Sequence, residues 1–150
     1  MRDSERSLTY GAEDQVASLL KRQGSIEMHG TNVAIPDERK FGDVEGVQRY
    51  VDTVLDYLGL DRDVKVRVRK GQKKAHYEYS AKTIAVPVGE RWAMREMVIL
   101  HEIAHHVTGV KVPAHGQEFR RNFCDLLERV LAPEARFLMQ IAYMERGLKV

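Results

Sequence analysis

The sequence predicts an α+β domain in which an antiparallel or mixed sheet of about three strands packs on a helix, with further helices toward the carboxyl end. Three observations carry that expectation. Apolar residues recur at helical spacing over 44–58, VKVRVR at 64–69 alternates with period two, and helical spacing returns from about Arg91 onward. At 150 residues the chain has the size of one domain, expected to span 1–150 with a poorly defined part at 1–40 and a core at 43–131.

Within the first forty residues the signals are short. Ala12 to Arg22, ended by Gly24, has the pattern of a helix, and Ser25 to Met28 with Asn32 to Ile35 suggests two strands around His29-Gly30. Asp43 is a good N-cap, after which Val44, Val47, Val51, Val54, Leu55 and Leu58 share a helix face until Gly59 stops it. In the following strand Val64, Val66 and Val68 are expected to face inward and Lys65, Arg67 and Arg69 outward. Gly71-Gln72-Lys73 is expected to turn that strand into a second around Ala75 to Tyr79. A third at Thr83 to Val88 is placed at a sheet edge by Pro87, which has no amide donor. Helices follow at about Arg91 to Val107, stopped by Thr108-Gly109, at Gln117 to Leu131, and at Glu134 to Arg146 after Ala132-Pro133.

Composition narrows the function. With 43% hydrophobic and 31% charged residues the chain is globular, and its longest aliphatic run, Met97 to Leu100, is far short of the roughly 20 residues of a membrane span. The start, MRDSERSLTYGAEDQ, has no apolar signal-peptide core. One cysteine, Cys124, fits a reducing compartment and excludes zinc sites built from paired cysteines, so the expected localisation is cytoplasmic. The stripe Phe119, Phe123, Leu126, Leu127 and Val130 beside it places Cys124 in a core. A net charge of +2 does not by itself argue for a nucleic-acid partner.

The chemistry lies in His101-Glu102-Ile103-Ala104-His105, an H-E-x-x-H pattern inside a predicted helix. Residues four apart stack one turn above each other, so both imidazoles can reach one metal ion. Glu102 lies about 100° round the helix, where it can touch a water on that metal as a general base without being a ligand. His115 follows ten residues after His105, beyond Thr108-Gly109, and can return as a third imidazole. Catalytic zinc commonly takes three protein ligands and keeps one position open, so one Zn2+ per chain is expected on His101, His105 and His115. Glu118, Asp125 and Glu128 are candidates for orienting a ligand imidazole, although solvated helix charge is the commoner role for each.

HEIAHH at 101–106 followed by HGQEF at 115–119 resembles the zincin signature of SprT-like and minigluzincin-type metalloproteases. The whole length is similar to a small family of actinobacterial and phage metallohydrolases. The resemblance implies a small zincin-like fold, zinc on His101, His105 and His115, Glu102 as general base, and a peptide or protein substrate. Two family features are missing. Thr108 and Lys111 stand where the longer metzincin pattern needs Gly and His, and no cysteine-rich zinc ribbon is present.

Lower-ranking candidates complete the set. Tyr77, Tyr79 and His106 are candidates for contact with substrate or transition state, and an extended peptide is expected to pair along the edge strand Thr83 to Val88. From Arg62 to Lys74 seven Lys or Arg accompany one Asp, which makes Lys65, Arg67, Arg69, Lys73 and Lys74 candidates for a weak nucleic-acid contact. No aromatic interleaves that run, and a solvated hairpin is the competing reading. A DNA-directed SprT-like role and a metal-binding regulator without catalysis stand as alternatives to hydrolysis.

Overall fold

The computed structural model describes residues 2–150. In chain order these form α1 (Arg6–Leu19), β1 (Ser25–Met28), β2 (Thr31–Ala34), α2 (Val44–Tyr57), β3 (Lys65–Val68), β4 (His76–Glu78), β5 (Thr83–Val86), α3 (Glu96–Thr108), α4 (Gln117–Leu126) and α5 (Pro133–Glu145). The α+β expectation holds, with two small sheets of two and three strands. The chain divides into two compact units, one of residues up to Glu38 together with Val110–Val150, the other of Arg39–Gly109. No described helix is long and apolar enough to cross a membrane.

In the Arg39–Gly109 unit, α2 starts where expected because the Asp43 carboxylate accepts the Gly46 amide at 2.7 Å. The three-stranded sheet departs from the expected order. It runs β3-β5-β4, with β3 parallel and β4 antiparallel to β5. The stretch at Gly71 therefore does not fold β3 and β4 into a hairpin, and β5 is central rather than an edge. All four β5 residues are buried and both its sides are hydrogen-bonded, so no substrate peptide can add to it. Pro87 is compatible with this place because the strand ends one residue earlier, at Val86.

The expected alternation of β3 holds only in part. Val64 is buried and Val66 half-buried, but Val68 is 44% exposed, because an outer strand has cover only where another element packs on it. That cover comes from α2, whose Gln48 donates to the Val64 carbonyl at 3.0 Å and accepts from the Val66 amide at 2.8 Å. One amide side chain thus satisfies the open backbone of β3 where a further strand would otherwise pair.

Helix α3 is held at its start by the 39–41 segment. Phe41 N–H donates to the Met94 carbonyl, Glu96 N–H to the Arg39 carbonyl, and the buried Glu96 carboxylate accepts from the Arg39 amide, the Arg39 guanidinium and the Tyr50 hydroxyl. An acidic residue in a first turn also complements the helix dipole. Ile99, Leu100, Ile103 and Ala104 are fully buried, and such Leu and Ile side chains each contribute about 1.5–3 kcal/mol. Gly109, at φ 76°, ends the helix in a conformation that favours glycine.

In the other unit, α1 begins six residues before the expected Ala12, because its first turn is polar and carries no apolar periodicity. β1 and β2 form an antiparallel hairpin whose turn places His29 and Gly30 at φ 51° and 80°. Helices α1 and α4 both pack on α5. The helix expected through Leu131 is α-helical only to Leu126 and widens into a π-turn at Leu127–Leu131. Ala132 N–H bonds the Leu127 carbonyl there, immediately before Pro133 starts α5. Cys124 is wholly buried, and burial pushes its thiol up to about 12.

Candidate metal centre

The motif sits where the local geometry of a helix puts it. His101, Glu102 and His105 lie in the middle of α3, and all are buried, at 4%, 6% and 6% exposure. The Nε2 atoms of His101 and His105 are 3.1 Å apart. Two nitrogens sharing one tetrahedral ion at about 2.0–2.1 Å each would stand about 3.3–3.4 Å apart, so the pair is already close to chelating distance. His115 is equally buried, and His101, His105 and His115 are three imidazoles that could hold a metal ion. No family model, curated protein or solved structure matches the chain.

The donor set fits a borderline metal such as zinc. Three imidazoles are nitrogen ligands of the kind that zinc, copper, iron and nickel accept. His105 and His115 each have a partner on the other ring nitrogen. Tyr79 Oη is 2.8 Å from His105 Nδ1, and Asp3 Oδ2 is 2.8 Å from His115 Nδ1. With Nδ1–H donated to those oxygens, a neutral imidazole keeps its Nε2 lone pair for an ion.

His115 is fixed from several directions within its own unit. Its backbone N–H donates to Asp3 Oδ1 at 3.0 Å, and its carbonyl accepts from Thr9 Oγ1 and from the Arg120 guanidinium at 2.8 Å. Arg120 is buried, and it also bonds the Lys149 carbonyl and Glu5, so the charge is matched rather than stranded. Tyr10 and Phe119 pack against the His115 ring at centroid distances of 4.9 and 5.1 Å.

The two tyrosines of the β4 region stand on one face, as a period-two spacing requires, with their rings edge-on at 5.0 Å. They meet successive residues of α3. Tyr79 reaches His105, while Tyr77 Oη is 2.7 Å from His106 Nδ1. His106 Nε2 lies 3.7 Å from Asp63, which also binds Lys82 at 2.8 Å. Burial lowers the His106 pKa, with Asp63 opposing the shift, and burial followed by the charge of Asp63 pushes the Tyr77 phenol up to about 12. Both hydroxyls thus contact imidazole nitrogens of α3.

The carboxylates singled out in the sequence lie elsewhere. Asp125 and Glu128 bind Arg136, and Glu118 is exposed. Asp3, which sequence reasoning missed, is the acid on the His115 imidazole. No motif could have found it, since it stands 112 residues away.

The cations at 65–74 are exposed or half-exposed, but they are not equivalent. Arg67 is paired with Glu78 at 2.8 Å, and Arg69 donates to the Lys74 carbonyl. Arg69, Lys70 and Lys73 line an open cavity of about 410 Å³ together with Val68, Pro87 and Glu90.

Proposed function

We propose that this chain is a zinc-dependent hydrolase, and specifically a metallopeptidase of the SprT-like, minigluzincin type. The observation that carries the reading is a buried carboxylate, Glu102, that directly follows His101 in the helix carrying two of the three buried imidazoles. A purely structural metal site has no use for such a base. His101, His105 and His115 would hold the ion. When bound, zinc supplies a Lewis acid that acidifies water and polarises a carbonyl.

Glu102 does the proton work. Its carboxylate accepts a proton from the attacking water and returns it to the nitrogen of the leaving amine, so one residue serves as base and then as acid. Low exposure favours this role, because it limits exchange of that proton with bulk water. His105 is oriented by Tyr79 and His115 by Asp3, which keeps the ring nitrogens aimed without rearrangement. The single, buried cysteine supports a cytoplasmic setting.

The test is metal content together with cleavage of a broad peptide library, comparing wild type with Glu102→Gln. Zinc in both proteins and cleavage only by the wild type supports the proposal; zinc with no cleavage by either favours a metal-binding regulator. A second reading, a DNA-directed hydrolase, draws on the cations around the open cavity at Arg69, Lys70 and Lys73.

A further inference from the structure

We propose that Asp3 is a positioning residue for metal binding, which sets the tautomer of His115 and so tunes the affinity of the centre. The inference rests on the metal-centre reading above and adds to it a residue that no motif contains. Asp3 makes two bonds to one residue. Oδ1 accepts the His115 backbone N–H at 3.0 Å and Oδ2 faces Nδ1 at 2.8 Å. An ionised carboxylate only accepts, so the second bond requires the proton on Nδ1 and leaves the Nε2 lone pair available. The first bond fixes the backbone from which the ring projects. Together they hold ring and main chain at once, and the contact is largely buried, at 6% and 24% side-chain exposure.

The same segment is tied down independently. Glu5 pairs with Arg120 at 3.1 Å, Arg120 donates to the His115 carbonyl, and Thr9 Oγ1 donates to that carbonyl from α1. The lead into α1 therefore acts as a strap on the third imidazole. Of these, Asp3 bonds a ring nitrogen, whereas Thr9 and Arg120 bond the backbone carbonyl. This division makes a positioning role separable from simple anchoring.

Asp3→Asn is the informative change because it keeps the shape. If the amide oxygen serves the His115 N–H, the amide NH2 is left facing Nδ1. It then favours the tautomer protonated on Nε2, the wrong one for ligation. Zinc affinity of the apo-protein, measured by competition with a chromophoric chelator, is expected to fall about 10- to 100-fold in Asp3→Asn and Asp3→Ala. The cobalt(II) absorption spectrum should change in the same variants, reporting an altered coordination sphere independently of turnover. Circular dichroism and thermal melts of the apo-proteins identify loss of fold. Glu5→Gln supplies the second comparison, since it loosens the same segment without touching Nδ1, and should leave affinity within about threefold. Wild-type affinity and spectrum in Asp3→Asn, or an equal loss in Glu5→Gln, overturns the proposal. A wild-type protein that takes up no zinc overturns the metal-centre reading itself.

Discussion

His101 and His105 present their Nε2 atoms to each other across 3.1 Å, one helical turn apart, inside a buried section of α3. Two imidazoles at that separation favour a shared cation over mutual exclusion, since one ion satisfies both lone pairs where a single proton satisfies them unequally. We expect one zinc per chain, lost in His101→Ala, His105→Ala and His115→Ala. Metal analysis of the purified variants checks this, and full occupancy in His115→Ala would remove that residue from the ligand set.

Glu102→Gln is expected to retain zinc and lose hydrolysis by about 10²- to 10⁴-fold, because the amide keeps the size of the side chain and cannot take a proton. Turnover by the variant within a few-fold of wild type would assign water activation to another group.

Tyr79→Phe removes the oxygen that faces His105 Nδ1 and leaves the ring in place. Zinc affinity should fall about tenfold, toward the lower end for loss of an outer hydrogen bond, with the fold intact. Tyr77→Phe, whose hydroxyl meets His106 instead, should leave zinc affinity nearly unchanged. Equal effects from the two substitutions would contradict the assignment.

Glu96→Ala should destabilise the fold by about 2–4 kcal/mol in denaturant unfolding, because the buried carboxylate satisfies both the Tyr50 hydroxyl and the Arg39 amide. Arg39→Ala should cost under about 1 kcal/mol, since the Arg39 side chain is 68% exposed and the backbone bond survives. A reversed order would relocate the clamp from the carboxylate to the ion pair.

Cys124 should resist alkylation in the folded protein at pH 8, where a thiol with its pKa near 12 is almost wholly protonated, and react promptly in denaturant. Fast labelling under native conditions would mean that α4 opens readily.

For the cationic segment, binding to DNA is expected to be weak, about 10⁻⁴ to 10⁻⁶ M, and to weaken steeply with salt. Reversing Lys65, Arg69 and Lys73 to Glu should reduce both binding and its salt slope without altering zinc content. Tight binding that persists at high salt would raise the DNA-directed reading above a general peptidase.

The local part of this architecture was legible without coordinates. The i, i+4 spacing of His101 and His105 is a helix property, Asp43 announces the start of α2, and Gly109 the end of α3. His115 enters the expected set by its spacing, ten residues after His105 and beyond the turn at Thr108-Gly109. The sheet order was not. Alternation reports which face of a strand is apolar, but it is silent on which neighbour that strand pairs with, so the sequence points to an edge for β5 although both its sides are used. The same limit hid the groups that aim the imidazoles. Tyr79 stands 26 residues before His105 and Asp3 112 residues before His115. Residue types and spacing alone bring His101, Glu102 and His105 into one stretch of helix, because helical geometry draws short-spaced residues together. The partners of those imidazoles, Tyr79 on His105 and Asp3 on His115, emerge only with the fold, since such contacts depend on packing among elements distant in the chain.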